Sequence, residues 1–247
     1  MIYARVVGAV VVAGLMKAAL QPVLMQRVLH AEVHGVAAYL EVLGALYSFV
    51  MAFVMYVVWD QFNRVQGGLA HEAAALEDLS RVAGQLLERD PVMRIRVAAK
   101  SYMKTAAGDE PERLAEGKSS VAAQDRFAAL CQAVRGVEIK GDRDVLLYPE
   151  LMRALGRVSE ARDARLAVSG TRIPGTLWNL VRFMSVVLFG GFLVLDIGSF
   201  GVSVALVAAV AASMAFLLSV VKDMDNPFVG AWNVSYAPMT AAAARIP

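Results

Sequence analysis

The stretch ALYSFVMAFVMYVVWDQFNR, Ala45 to Arg64, decides how the rest of the chain is read. It is apolar over most of its length, yet it carries Tyr47, Ser48, Phe49, Phe53, Tyr56, Trp59 and Asp60. A helix that only anchors a protein in lipid needs aliphatic side chains and nothing more. Aromatic and polar groups at helical spacing point to a second role.

At about 100° per residue, Glu41, Ala45, Phe49, Ala52, Tyr56, Asp60 and Asn63 fall on one stripe about 100° wide, with Phe53 at its edge. The stripe is small and aromatic in the middle and carries a carboxylate towards each end. Two readings fit it. One is a packing face between helices, with Asp60 at the membrane surface and Tyr56 and Trp59 in the interfacial aromatic belt. The other is a hydrophobic constriction between two polar mouths, repeated around a ring of subunits and gating by dewetting.

Composition places this stretch in a membrane protein. Of the 247 residues, 58% are hydrophobic and 19% charged, against about half and about a quarter in soluble domains. A net charge of +2 gives no basis for nucleic-acid binding. Cys131 is the single cysteine, so no disulfide forms within the chain. His30 and His34 stand four residues apart, as metal ligands on a helix face do, but no third ligand lies near them. Neither a metal nor a cofactor is expected. The chain shows no catalytic triad, and Gly67-Gly68 lacks the Lys and Ser/Thr of a phosphate loop. No enzyme is expected.

Charge is segregated. Residues 64–172 hold 18 of the 24 Lys/Arg and 16 of the 22 Asp/Glu. A bilayer core of about 30 Å needs about 20 apolar residues of helix. Val202 to Val221, VSVALVAAVAASMAFLLSVV, meets this without a charge, and Leu177 to Leu195 carries only Arg182, one turn inside its start, where it snorkels. Val42 to Trp59 is a third span. Val6 to Met25 is a fourth, interrupted by Lys17, Gln21 and Pro22. It is read as a retained helix, since no convincing cleavage site follows it and further spans do. The expectation is an all-α membrane protein with four transmembrane helices and a helical cytoplasmic domain. Its parts are two spans over 1–63, the aqueous domain over 64–172, two spans over 173–222 and a cytoplasmic tail over 223–247.

The connections Ala31 to Glu41 and Asp196 to Gly201 contain no Lys or Arg, whereas Arg5, Arg64, Arg172, Arg182 and Lys222 flank the opposite ends. The positive-inside rule then puts both termini and the middle domain in the cytoplasm of a bacterial inner membrane. Within the domain, Leu69, Ala73, Leu76, Ala83 and Leu87 recur at helical steps. The spacing predicts a helix ending at Asp90-Pro91, a second to about Thr105, a polar loop over Gly108 to Lys118, and helices over Ser119–Arg135 and Pro149–Ser169. No stretch alternates with period two, so no sheet is expected.

Three blocks resemble the bestrophin-like family of bacterial membrane proteins and, more distantly, bestrophin channels. They are LGALYSFVMAFVMYVVWDQF followed by EAAALEDLSRVA; SEARDARLAVSGTRIPGTLW, Ser159 to Trp178; and DMDNPFVGAWNVS, Asp223 to Ser235. The order of parts matches as well, over nearly the whole chain. The resemblance implies a homo-oligomer, a pentamer in bestrophins, around a central pore that conducts anions such as chloride or monovalent cations. SFVMAF looks like the bestrophin neck motif. By that match Ala45, Phe49 and Phe53 face the pore, with Glu41, Tyr56, Asp60 and Asn63 towards its mouths. The partners are then other copies of the chain, inorganic ions and membrane lipids. Calcium-binding bestrophins carry an acidic run after Asn-Pro-Phe; this chain reads VGAWNVS there, so no calcium clasp is expected.

Lys17 and Gln21 form a polar stripe inside the first span. A cation at that depth is costly unless it snorkels, pairs or faces water, and Glu41 of the second span is within reach as a partner. Glu72, Arg81, Glu160, Arg162 and Arg165 of the family blocks read as solvated faces or inter-subunit ion pairs. The rival to a channel is a non-conducting membrane scaffold or sensor whose spans anchor an oligomeric domain.

Overall fold

The computed structural model describes residues 2–24, 33–195 and 199–247; within these, no side-chain statement extends to 21–24 or 33–34. The described residues form eight helices and no strand: α1 (Ile2–Leu24), α2 (Val33–Ala83), α3 (Arg89–Ala115), α4 (Val121–Arg135), α5 (Asp142–Ser169), α6 (Gly175–Val194), α7 (Phe200–Asp225) and α8 (Ala237–Arg245). Four of them, α1, α2, α6 and α7, are long and apolar enough to cross a membrane. The chain divides into two compact units, 1–59 with 172–225, and 60–171 with 226–247.

In the first unit α7 lies along α1. Small residues permit this close approach: Ala13 and Ala211 are buried together with Leu193 and Val207, and a Cβ on Gly14 would stand 3.9 Å from Val204. Ala211, in the small-residue run of the last span, therefore packs within the chain. The N-terminal part of α2 buries Leu40, Tyr47, Met51, Val54 and Val58 in one cluster with Val181, Leu188, Val221 and Met224.

The second unit has its own core. Leu69, Leu76 and Leu79 of α2 meet Ile95 and Met103 of α3, Leu130 of α4, Leu151 and Val158 of α5, and Met239 of α8. Each helix supplies apolar residues at three- and four-residue steps, so each has one face to bury.

Four boundaries depart from the sequence reading. The second span and the first helix of the polar domain are one continuous helix, α2, of 51 residues. It ends at Ala83 rather than at Asp90-Pro91: the bonds tighten from Gly84 N on Ser80 O to Gln85 N on Val82 O and Leu86 N on Ala83 O, and the last carbonyls are met by this tighter turn. Pro91 falls in the first turn of α3, where its missing N–H costs nothing. The expected loop over Gly108 to Lys118 is helical as far as Ala115 despite Pro111, held by buried Glu110 and Leu114. Helix α5 begins at Asp142, with Pro149 inside it, and α8 lies in the expected tail. The start of α4 follows the reading closely: Ser120 caps it, accepting from Ala123 N at 2.9 Å.

Charged residues expected on solvated faces occupy the centre of the second unit. Arg165 and Glu72 are fully buried, with Nε on Oε2 at 2.5 Å. Arg165 Nη1 lies 2.7 Å from Glu110 Oε2, an ionic contact without hydrogen-bond alignment. The Tyr102 hydroxyl donates to Glu72 and accepts from Arg162 Nε at 3.1 Å. The Arg162 guanidinium stands 5.0 Å from the Phe127 ring centre. Two cations thus balance two carboxylates. Burial pushes the Glu110 carboxyl up, against the pull of Arg165. Burial alone would lower the Arg165 guanidinium; Glu72 and Glu110 more than reverse that. Gly68 makes the crossing possible, since a Cβ there would meet Arg165 Cβ at 3.1 Å. Arg81 and Glu160 remain exposed, as read.

Candidate functional site

Helix α2 has two opposite faces over its apolar part. Leu40, Tyr47, Met51, Val54 and Val58 are at most 7% exposed. Half a turn away, Phe49 is 75% exposed, Phe53 56% and Tyr56 66%. Glu41, Ala45, Ala52 and Asn63 are exposed on the same side. The aromatic stripe therefore does not pack against the chain's own helices. It is the face the fold leaves uncovered.

The packing behind this face explains the orientation. Met51, Val54 and Val58 share one buried cluster with Val181 and Leu188 of α6 and Val221 and Met224 of α7, and burying that side turns the other side of the helix outward. Two hydroxyls add a specific contact: Tyr47 and Ser185 lie 3.2 Å apart, and Ser185 Oγ donates to the Val181 carbonyl at 2.8 Å. Such a polar contact within apolar packing sets the rotation of one helix on the other.

The charged ends of the stripe are unlike each other. Asp60 Oδ2 accepts from Arg64 Nε at 2.7 Å, one turn on, so its charge is balanced locally. Glu41 is exposed and forms no ion pair among the described residues. Phe49 and Phe53 are one turn apart, about 6 Å along the axis, and Glu41 to Asp60 spans about 28 Å at 1.5 Å per residue. That length is close to the hydrocarbon thickness of a bilayer.

Lys17 is 2% exposed. Its ammonium donates to the carbonyls of Leu193 at 2.9 Å and Leu195 at 2.7 Å. These close the C-terminus of α6, where the helix dipole is negative and the last carbonyls lack intrahelical donors. A lysine inside a span is thus held by the end of another span. The side chain of Gln21, and the His30–His34 pair, lie outside the described residues.

Asp225 is a residue the sequence reading undervalued. Its carboxylate accepts from Ile173 N at 2.8 Å and from Trp178 Nε1 at 3.3 Å. It ties the end of α7 to the start of α6. The available signal was a carboxylate ending an apolar span, paired with the Ile-Pro and Leu-Trp dipeptides of another block.

These features define an all-helical membrane protein with an aromatic face left open on one span. The bestrophin-like domain model matches residues 6–239, and the chain belongs to that family. Its fold is shared by solved structures of low sequence identity. A bacterial bestrophin homologue from Klebsiella pneumoniae, phased on zinc, matches with a TM-score of 0.70 at 13% identity, covering 100% of this chain and 96% of that one. A tyrosine-to-alanine variant of the Klebsiella homologue gives 0.74 at 14% identity, covering 99% and 97%. A crystal structure described as a membrane protein gives 0.73 at 13%, covering 98% and 97%. No curated protein matches the chain.

Proposed function

We propose that the chain is the subunit of a homo-oligomeric ion channel, a pentamer by analogy with bestrophins, and not an enzyme. The exposed face of α2 lines its axial pathway. The observation that carries this reading is the exposure of Phe49, Phe53 and Tyr56, each more than half exposed, opposite the buried face of the same helix. Several copies of that face around an axis form a narrow neck at Ala45, Phe49 and Phe53. An apolar neck excludes water when closed, and ions cross when it widens or wets. Glu41, Tyr56, Asp60 and Asn63 stand towards the mouths. With Asp60 balanced by Arg64, the carboxylate that remains to bias selectivity is Glu41. Inorganic ions are the permeant species and lipids surround the spans.

Phe49→Ala and Phe53→Ala are expected to raise ion flux in liposomes several-fold and to loosen discrimination between ions. Glu41→Gln is expected to shift the anion-to-cation permeability ratio towards anions. If all three variants assemble with wild-type flux and permeability, α2 does not line a conduction path, and a non-conducting scaffold or sensor is the better account.

The orientation follows from the two connections without Lys or Arg: both termini and residues 64–172 are cytoplasmic, in a bacterial inner membrane. In a Cys131→Ala background, single cysteines at Gly35 and Ser199 are expected to react with an impermeant thiol reagent on intact cells. Labelling of a cysteine at Ser119 in their place reverses the topology.

A further inference from the structure

The second unit contains a cavity of about 470 Å³ that the channel reading does not use. The end of α2 supplies Glu77, Ser80 and Arg81 to its wall, Gln85 follows just after it, α3 supplies Arg96, and Arg245 and Ile246 close it. Three arginines therefore face one carboxylate. That carboxylate is engaged, since Glu77 Oε1 lies 2.5 Å from Arg245 Nη2. Neighbouring Asp78 is taken by Arg81 and by Arg157, the latter at 2.6 Å.

Arg96 is the exception. Its Nε is buried without a hydrogen-bond partner, and its guanidinium forms no ion pair among the described residues. A buried donor on a cation costs stability if nothing accepts from it. The absence of a side chain at Gly84 is what lets the group sit there: a Cβ would come within 2.8 Å of Arg96 Nη2. Arg96 thus lines the cavity with no carboxylate paired to it among the described residues.

We propose that this cavity is a binding site for a phosphate group, free or carried on a small organic phosphate, with Arg96 as its principal ligand. A guanidinium fork matches two oxygens of a tetrahedral oxyanion. Arg81 and Arg245 supply further charge from the rim, and the Ser80 hydroxyl and Gln85 amide complete the donor set. The volume falls in the range of small-molecule sites, about 300–1,000 Å³, and exceeds what inorganic phosphate alone fills. The proposal does not depend on the channel reading, and the binding measurement below reports on it alone.

The test is calorimetric titration of the detergent-solubilised full chain with inorganic phosphate and with glycerol phosphate, in buffer free of other oxyanions. Saturable binding of at least one is expected, and sodium chloride at matched ionic strength is expected to give none. Tighter binding of glycerol phosphate assigns the site to an organic phosphate; binding of inorganic phosphate alone assigns it to the free ion. Arg96→Gln should weaken binding at least tenfold. Gly84→Ala should weaken it as well without removing a charge, by displacing the guanidinium. Arg113→Gln, an equal change of charge on an exposed residue outside the cavity, should leave it intact. Three results overturn the proposal: no saturable binding by the wild-type chain, equal competition by chloride, or equal weakening by Arg96→Gln and Arg113→Gln.

Discussion

Arg165→Met is expected to destabilise the protein by about 3–5 kcal/mol, the usual cost of removing one partner from a buried ion pair. Methionine fills much of the space, so the loss is electrostatic and not a matter of cavity formation. Glu72 and Glu110 are left as buried carboxylates with Arg162 as their nearest cation, 3.9 Å from Glu110. Desolvation then favours the protonated form of Glu110. A carboxyl whose folded pKa is raised contributes stability that is fully present below its unfolded value, near 4.5, and is lost as pH rises through the folded value. The gap between variant and wild type should therefore be narrow near pH 4.5 and wide at pH 7.5. Thermal unfolding of the solubilised protein at the two pH values checks this. Arg81→Ala, which breaks the exposed pair with Asp78, is the contrast and should cost little. Equal effects of the two substitutions, or a gap independent of pH, would count against a buried network.

The second large effect separates the two faces of α2. Met51 is 3% exposed between α2 and its neighbours, and Met51→Ala should cost about 2–5 kcal/mol through lost burial and the cavity left behind. Phe49→Ala removes a larger side chain, but from a face that is 75% exposed in the chain. If that face lines a water-accessible axis, the substitution leaves stability and assembly close to wild type. Were Phe49 instead clamped by a neighbouring subunit, the change would cost about 3–5 kcal/mol and reduce assembly. Unfolding midpoints together with the mass of the solubilised oligomer distinguish these outcomes. Only the first agrees with a pore-lining role, because a residue that faces an open axis can be truncated without opening a cavity in a packed interface.

Much of the architecture was legible in the residues. Hydropathy and length are properties of contiguous sequence, so Val202–Val221 and Leu177–Leu195 could be assigned to helices α7 and α6 without any knowledge of packing. The all-α class followed from helical periodicity, and the family followed from three blocks of motif. A polar run over Gly108 to Lys118 and a proline at Pro149 misled the reading. Pro111 and Pro149 weaken a helix locally, yet both helices run through them, with buried Leu114 and Leu151 on their packed faces.

The charged residues of the family blocks were not legible. Glu72 and Arg165 lie 93 positions apart, and each sits on a helix whose pattern also permits a solvated face. Only the fold brings them to 2.5 Å, together with Tyr102, which no motif marked. Lys17 posed the same difficulty. Its partners are main-chain carbonyls of Leu193 and Leu195, which carry no side-chain signature in any sequence.

For the stripe on α2 the division is sharp. Sequence alone determined which residues share a face, because the 100° step of an α-helix is a local property. It did not determine whether Phe49 and Phe53 meet other helices of the chain, since a packing face and an open face have the same period. The tertiary structure decided that question by burying Met51, Val54 and Val58 in one cluster with residues of α6 and α7, which leaves one rotation of the helix and turns the phenylalanines outward.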